Sequence, residues 1–395
     1  MSPDLVPSFD TGDPAHHSFR AVEGGFPLFD AVVKALPNGT KVLRATDHGE
    51  YCSWFRIGRI EAVDNHGSHI QYFVKYGTGT IGRELLGSEY QAQRKLYSLT
   101  PDNVPRPMNW GSLQLRGPHE GSYLLAEFVQ FDNSDLPDVD AAGAVVAKLH
   151  GSSKGTSQQF GTTGPLFDGL LCYLSGWEPK WQTLFAKILF QVYHYNTLTN
   201  GRWDELHDAI VPVIRYVVPR LLNALEDGGR KIEPCFIHGD LWNGNFGTAA
   251  DTQRLYLFDS SGYYAHHEMG FALWRTQHHR MHEKDYCGAY FKHRPPSESE
   301  EEFEDRALLY TLKPCLIYSS MNPGHVTRQR ALRNMKYLLQ KYRPPEGSDN
   351  SADEIFRDIT NGEHLWVKEL PPEIASFINA RREGLDKDSA PGVPK

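Results

Sequence analysis

The sequence predicts an α+β fold in which a small antiparallel sheet with one helix precedes a larger, mainly helical part. Alternating apolar runs are concentrated before residue 130, and one clear helical pattern, at 83–99, lies among them. Beyond Pro137 helical patterns dominate, apart from one strand–loop–strand segment at 235–259. We therefore expect four segments: a flexible arm at 1–20, a first lobe at 21–130, a second lobe at 131–345, and a tail at 346–395 with one weak helix.

Composition limits the classes of function. With 395 residues, 40% of them hydrophobic and 23% charged, the chain is an ordinary globular protein with room for a sizeable core. Its net charge of −8 disfavours a general affinity for nucleic acid or anionic membranes. The five cysteines form no closely spaced pair typical of zinc or redox motifs, which favours a reducing compartment. Since no signal peptide and no uninterrupted apolar run of membrane-spanning length is apparent, we expect a cytoplasmic protein. We also expect a monomer or weak homodimer.

The first lobe is predicted from its strand alternation. Four strands in two hairpins are expected at 41–44, 51–57, 60–63 and 70–75. The loop of the first hairpin contains His48 and Gly49, and an ordinary hairpin turn explains these two residues equally well. Lys75 closes the last strand, where it is either solvated or in need of a partner, because burying an unpaired ammonium is costly.

The helix predicted at 83–99 supplies that partner. Leu85, Glu89, Ala92 and Leu96 fall on one stripe at spacings of four, three and four residues. Glu84 falls on a second, polar stripe. The periodicity therefore directs Glu89 inward and Glu84 towards water.

Helical periodicity also organises the second lobe. We expect helices at 141–150, 177–198, 202–226, 303–320 and 326–342. The second of them opens with the aromatic residues Trp177, Trp181 and Phe185. The segment 160–175 has no clear period, so we expect a loop on the substrate side.

The segment 235–259 carries the clearest chemical signal. Asp240 and Asn245 lie five residues apart in a polar loop after an apolar strand, and Asp259 ends the next strand fourteen residues later. This spacing is typical of phosphoryl-transfer enzymes of the protein-kinase kind. In those enzymes the first Asp takes the proton of the attacking hydroxyl, and the Asn and second Asp hold Mg²⁺. The alternative is an Asx-turn loop with a capping Asp.

The loop also resembles a known family. Residues 238–245 resemble the signature of the fructosamine-3-kinase (ketosamine/ribulosamine kinase) family, a branch of the aminoglycoside phosphotransferase and choline-kinase-like enzymes. Residues 104–107 resemble the Val-Pro-x-Pro link of that family, and 141–150 resemble its first C-lobe helix. The resemblance implies a bilobal protein-kinase-like fold, with a nucleotide-binding first lobe and a second lobe that binds the acceptor and carries catalysis.

The resemblance assigns a role to each candidate site residue. Asp240 is the implied catalytic base, and Asn245 and Asp259 are the implied ligands of Mg²⁺. The residues expected to contact ATP are Lys75 braced by Glu89, the loop of His48 and Gly49, and the backbone of Glu127 and Val129 at the adenine edge. Trp242 offers an apolar face for a sugar ring.

Two segments depart from the family pattern. Where the family has Pro-Ala after the second Asp, this chain has Ser260 and Ser261, although the following Glu268 is retained and is expected to anchor the loop. Near the sugar-facing segment the family has an Asn-His-x-Asn type of pattern, and this chain has Tyr318 to Gly324 instead. The geometry beside the phosphates and the identity of the acceptor are therefore less fixed than the metal ligands.

The resemblance implies an ATP-dependent kinase of the 3-hydroxyl of ketosamines, on glycated proteins or amines, which promotes deglycation. Alternatives are a kinase of another small hydroxyl compound, such as an amino alcohol or a sugar amine, and a nucleotide-binding pseudokinase. A further alternative is a metal-dependent hydrolase that uses His238, Asp240, His266, His267, His278 and His279. Histidines adjacent in sequence point apart on a strand or helix, which argues against a metal shared by them.

Overall fold

The computed structural model describes residues 19–20, 22–48, 55–115, 120–132, 136–174, 176–345 and 369–388. The chain divides into two compact units. The sheet unit consists of Ser2–Ser134 and Phe246–Ser260, and the helical unit consists of Asp135–Asn245 and Ser261–Lys395. Among the described residues, none of the helices is both long enough and apolar enough to cross a membrane.

The strands are β1 Phe19–Arg20, β2 Leu28–Phe29, β3 Lys41–Asp47, β4 Arg56–Val63, β5 His69–Thr78, β6 Pro107–Gln114, β7 Glu120–Glu127, β8 Phe160–Gly161, β9 Pro165–Asp168, β10 Leu171–Leu174, β11 Trp177–Glu178, β12 Cys235–Ile237, β13 Phe246–Thr248, β14 Leu255–Leu257 and β15 Tyr263–Ala265. The α-helices are α1 Asp30–Ala35, α2 Gly79–Leu99, α3 Val139–Ser152, α4 Trp181–Asn200, α5 Asp204–Pro212, α6 Val218–Leu222, α7 Tyr286–Phe291, α8 Phe303–Met321, α9 Thr327–Tyr342 and α10 Pro372–Asp388.

The sheet unit is built on five antiparallel strands in the order β3-β4-β5-β7-β6. Leu86 of α2 packs with Leu124 and Ala126 of β7, and a second cluster around Phe26 and Tyr76 packs with residues of α1. The prediction of separate strands at 51–57 and 60–63 was wrong where the structure describes them, because β4 is continuous from Arg56 to Val63; residues 51–54 lie outside the described residues. A Cβ at Gly58 would lie 2.4 Å from the Phe26 ring, so this glycine admits an aromatic ring instead of ending the strand.

The hairpin β13–β14 completes the sheet unit from a distant part of the chain. Asn103 donates from Nδ2 to the carbonyl of Leu255 at 2.9 Å, and the Phe131 ring stacks on Phe258 with centroids 4.9 Å apart. The turn between the two strands lies at 249–254.

In the helical unit, β12 pairs antiparallel with β15 in a four-stranded sheet of order β11-β8-β15-β12. The prediction of a loop at 160–175 was wrong, because the segment forms β8 and the hairpin β9–β10. Trp177 lies in β11 and not in the following helix, which begins at Trp181. Gly176, with a φ of +60°, turns the chain between β10 and β11. The predicted helix at 202–226 is divided into α5, a π-helical turn at Val213–Val217 and α6, with prolines at 212 and 219.

Buried histidines form a hydrogen-bonded network in the helical unit. Tyr290 Oη lies 3.0 Å from Nδ1 of both His150 and His267, and Tyr310 Oη lies 2.8 Å from Nδ1 of His266. Burial lowers the pKa of His150 to about 3 and that of His266 to about 4. These rings are therefore neutral wherever the helical unit is folded near neutral pH.

This network predicts an acid-sensitive fold. An unfolded His266 takes up a proton below its ordinary pKa of 6.5, whereas the folded one resists down to about 4. The unfolded state thus binds more protons, and stability falls as the pH is lowered through that window, by about 1.4 kcal/mol per pH unit for each such histidine. Urea titrations across this window give the free energy of unfolding as a function of pH. For His266→Gln this free energy should fall less steeply with decreasing pH than for the wild type, by the equivalent of about one proton. His69→Gln, at an exposed position of β5, should keep the wild-type slope. Equal slopes in all three proteins would contradict the prediction.

Candidate active site

The sheet unit contains a buried ion pair between β5 and α2. Lys75 Nζ lies 2.8 Å from Oε1 and 2.9 Å from Oε2 of Glu89. The two side chains are only 4% and 7% exposed. The structure therefore brings together the lysine and the inward glutamate selected from the sequence, while Glu84 is exposed as expected. The prediction that Lys75 closes its strand was wrong, because β5 continues to Thr78.

Opposing effects act on the Glu89 carboxyl. Burial raises its pKa, the Lys75 ammonium opposes that rise, and the Asp259 carboxylate adds to it. An ammonium within hydrogen-bond distance of both oxygens is the contact that makes a buried carboxylate tolerable. The removal of either partner would leave an uncompensated buried charge, so replacing one of the two residues alone destabilises the fold.

Asp259 meets the same ammonium. Its Oδ1 lies 3.0 Å from Lys75 Nζ, yet its side chain is 54% exposed. The residue follows β14 and has a φ of +59°, a left-handed conformation that is uncommon for any residue but glycine. Such conformations are frequent at ligand-binding sites, because the surrounding structure must hold them in place. Asp259 thus presents a carboxylate that is fixed on one side by Lys75 and open to solvent.

The first-hairpin residue His48 is tied to the neighbourhood of Lys75 through its backbone. Its N–H donates to the carbonyl of Ile57 at 3.0 Å, and Ile57 pairs with Lys75 across β4 and β5. Its ring packs edge-on against Phe128, with centroids 4.9 Å apart. Burial and the nearby Arg59 lower the pKa of His48, so its ring offers no positive charge at neutral pH. Gly49, the other residue of this prediction, lies outside the described residues.

Glu127 ends β7, and Val129 lies two residues beyond it. The Glu127 N–H donates to the carbonyl of Arg106 at 2.9 Å, and the Glu127 carboxylate accepts from the Arg106 N–H at 3.0 Å. Any contact of Glu127 with an adenine edge would therefore involve its carbonyl oxygen and not its N–H.

The loop of Asp240 leaves β12 through a backbone conformation that requires glycine. Gly239 has a φ of +85°, and a Cβ there would lie 2.0 Å from the carbonyl oxygen of Ser261. The Ser261 N–H donates to the carbonyl of His238 at 3.0 Å. The segment that leads into β15 therefore holds the start of the loop, and Asp240 projects from this fixed point with partial exposure.

Asn245 holds Asp240 from the other end of the loop. Its Nδ2 donates to the Asp240 carbonyl at 2.7 Å and to Asp240 Oδ2 at 3.1 Å. Asn245 is 4% exposed. With the amide nitrogen directed at Asp240, the amide oxygen lies on the opposite side of the group, as a hard donor of the kind Mg²⁺ accepts.

Trp242 lies between these two residues. Its partly exposed ring covers Gly244, where a Cβ would be 2.4 Å from the indole, and lies beside His279 with centroids 5.1 Å apart. The neighbouring Leu241 carbonyl accepts from Trp274 Nε1 at 2.9 Å. The loop is thus packed on more than one side, which fixes the orientation of the indole.

A buried polar cluster beside this loop escaped sequence analysis. Asp168 Oδ2 accepts from Lys313 Nζ at 2.8 Å and from Tyr173 Oη at 2.6 Å. Burial alone would lower the pKa of Lys313, but Asp168 and the more distant Asp240 raise it. Ser261 Oγ donates to the carbonyl of Phe167, next to Asp168. One residue in the sequence could have indicated this cluster: Ser261 places a hydroxyl group where the family has an apolar residue.

The histidines proposed for a hydrolase metal site behave differently from the expectation. His266 and His267 do not point apart, since potential ligand atoms of these residues and Glu268 lie within 4.8 Å of one another. Strand and helix periodicity fails here because the chain turns from β15 into a 3₁₀ helix at 267. However, Glu268 Oε2 accepts from Arg306 Nε at 2.8 Å, and Oε1 accepts from Arg306 Nη2 and the Ser297 N–H. The group is a satisfied buried network, in which Glu268 binds Arg306 and the segment at Ser297.

Comparisons with known proteins identify the family of the chain and its fold. A model of the fructosamine kinase family matches residues 56–341. The chloroplastic protein-ribulosamine 3-kinase of Oryza sativa subsp. indica is 28% identical over 242 residues, which are 60% of this chain and 65% of the rice protein. The match therefore covers less than two thirds of that relative's own length.

Solved structures share the fold. A Thermobifida fusca YX-ER1 protein named after fructosamine-3-kinase aligns with a TM-score of 0.58 and 20% identity, over 78% of this chain and 98% of its own. A thermostable mutant of aminoglycoside phosphotransferase APH(4)-Ia, in ternary complex with AMP-PNP and hygromycin B, aligns with a TM-score of 0.51 and 14% identity. The alignment covers 78% of this chain and 96% of that protein. The predicted protein-kinase-like α+β fold is confirmed.

The Gly239 geometry gives a test of the loop. In Gly239→Ala the left-handed backbone costs about 1–2 kcal/mol, and the methyl group must also displace the Ser261 carbonyl. We expect a lower melting temperature and faster hydrogen exchange of the Ser261 amide. Gly155→Ala is the matched control, because Gly155 has a φ of +73° and a Cβ there would meet nothing within 4 Å. Equal effects of the two substitutions would show that the contact with Ser261 does not restrain the loop.

Proposed function

The chain belongs to the fructosamine kinase family, and on that premise we propose that it transfers a phosphoryl group from ATP to the 3-hydroxyl of a ketosamine. The acceptor would be a fructosamine or ribulosamine on a glycated protein or a small amine. The observation that carries this proposal is the buried Lys75–Glu89 pair with Asp259 on the same ammonium, because kinases position nucleotide phosphates with such a pair.

On the nucleotide side, Lys75 would contact the phosphates while Glu89 holds its ammonium in place. The amide oxygen of Asn245 and the solvent-open carboxylate of Asp259 are the donors that would hold Mg²⁺, and two protein oxygens suit this ion. When bound, Mg²⁺ neutralises the negative charge of the phosphates. The Glu127 carbonyl and the Val129 backbone would contact the adenine, and the loop of His48 and Gly49 would cover the phosphates.

On the acceptor side, Asp240 would orient the attacking hydroxyl and take its proton. The clasp by Asn245 fixes the carboxylate in one orientation, which reduces the reorganisation needed before transfer. General-base assistance of this kind contributes roughly 10²–10⁴-fold to the rate. Phosphorylation of the sugar destabilises the ketosamine adduct, so the reaction would lead to deglycation.

Another hydroxyl compound, such as an amino alcohol or a sugar amine, is the second candidate acceptor. It is favoured by the segment Tyr318 to Gly324, which differs from the sugar-facing pattern of the family. A pseudokinase is disfavoured, because Asp240, Asn245 and the Lys75–Glu89 pair are all retained.

Turnover measurements test the proposal. Purified protein with Mg-ATP should phosphorylate a fructosyl-lysine or ribosyl-lysine peptide, and Asp240→Ala should reduce turnover by roughly 10²-fold or more while ATP binding is kept. Asp251→Ala, which removes an exposed carboxylate between β13 and β14, should retain wild-type turnover. If ATP binds and neither peptide is phosphorylated, the ketosamine assignment is wrong.

The partly exposed ring of Trp242 predicts that its removal affects the KM of the acceptor and not the KM of ATP. In Trp242→Ala the acceptor loses an apolar packing surface, so its KM should rise by about tenfold while the KM of ATP changes little. Trp177→Ala serves as a control, since that indole is 41% exposed in β11. A rise in the KM of ATP that equals the rise for the acceptor would place Trp242 outside the acceptor site.

A further inference from the structure

Next to Trp242 lies a group of rings to which the proposed mechanism assigns no role. Together with Trp242 these rings form what we call the ring cluster: Trp242, His278, His279, Tyr318 and His325. Ring centroids are 4.3 Å apart for His278 and His279, 4.4 Å for His278 and Tyr318, and 4.7 Å for Tyr318 and His325. With His279 beside Trp242, the rings form a continuous surface within the helical unit.

This surface is attached to the loop that carries Asp240. The Arg280 N–H, directly after the two histidines, donates to Asn243 Oδ1 at 3.2 Å. Trp274, just before them, donates from Nε1 to the Leu241 carbonyl. Both ends of the histidine segment are therefore fixed to the loop, and the segment lies along its flank.

His278 is unusual within the cluster. Both of its ring nitrogens are buried, and neither has a hydrogen-bond partner among the residues that the structure describes. A buried polar group without a hydrogen-bond partner is destabilising, so native proteins seldom keep one. A ligand that hydrogen-bonds these nitrogens would recover that cost, and would do so at a surface already lined with aromatic rings.

The charge state of the histidines limits the kind of ligand that the ring cluster can bind. Burial, with further effects of His279, His325, Arg330 and His282, lowers the pKa of His278 to about 3. Burial lowers the pKa of His279 to about 4. Both rings are neutral at physiological pH, and a neutral imidazole offers one donor and one acceptor. Hydroxyl groups, which both donate and accept hydrogen bonds, match that pair, whereas an anion, which only accepts them, does not.

We propose that the ring cluster is the sugar-recognition surface of the acceptor site. His278 hydrogen-bonds hydroxyl groups of a polyhydroxylated chain, while Trp242 and Tyr318 pack against its C–H faces. The inference rests on the proposed function and extends it: the acceptor is selected for its hydroxyl groups, so amino alcohols with a single hydroxyl are poor substrates. His278 is thereby a specificity-determining residue.

The variant His278→Phe tests this role, because it keeps a ring of similar shape between Tyr318 and His279 but removes both nitrogens. We expect the KM of fructosyl-lysine to rise by about tenfold or more, since hydrogen bonds to the sugar are lost. The KM of ATP should stay unchanged, and the melting temperature should not fall. His278→Gln, which retains a donor and an acceptor, should partly restore the acceptor KM, and His69→Phe is a control at an exposed position of β5.

Calorimetry with 1-amino-1-deoxyfructose, in the absence of ATP, separates this inference from the kinase assignment. Weaker binding by His278→Phe than by the wild type supports the ring cluster, even if the wild type phosphorylates no ketosamine and the proposed function fails. Binding and KM within about twofold of the wild type in His278→Phe would overturn the ring cluster and leave the kinase assignment intact. A wild type that does not bind the probe would also overturn it.

Discussion

The sheet unit depends on one ammonium group. Lys75 is nearly inaccessible to solvent, and an isolated buried ammonium is so costly that a carboxylate must accompany it. Glu89 meets this requirement from α2, which fixes the rotation of that helix against β5. Asp259, 184 residues further along the chain, reaches the same ammonium. A strand, a helix and the end of a distant hairpin are thereby placed together by a single charge requirement.

In the helical unit the comparable constraint is the geometry of Gly239. The left-handed residue and the short approach of Ser261 decide where the loop leaves β12, and the Asn245 amide decides how Asp240 is oriented. Ser261 also contacts Phe167, next to the ion pair of Asp168 and Lys313. A departure from the family pattern therefore connects the loop with a buried polar cluster.

Those parts of the site that follow from periodicity or spacing were predictable from the sequence. The stripe of α2 identified the inward side chain of Glu89, and the spacing of five residues identified Asp240 and Asn245. Contacts that depend on chain reversals were not predictable. His266 and His267 converge because the backbone changes type between β15 and the next helix, so no single periodicity applies.

The same limit explains other errors in the predicted elements. The strands predicted at 51–57 and 60–63 left Gly58 between them, although it accommodates the Phe26 ring within one continuous strand. The pairing of Asp168 with Lys313 joins a short hairpin to α8 across 145 residues (313 − 168), and neither residue belongs to a repeating pattern. Side-chain partnerships of this kind are determined by tertiary packing and leave little trace in local sequence.

The sheet unit is built from two separate segments of the chain, so it cannot be isolated by cutting the chain at one point. Ending the chain at residue 134 would give a polypeptide without β13, β14 and Asp259, although these belong to the same compact unit. Such a fragment would lack the stacking of Phe258 on Phe131 and the hydrogen bond from Asn103 to Leu255. A fragment of the sheet unit should therefore be designed as a fusion that returns residues 246–260 through a linker, and not as a simple truncation.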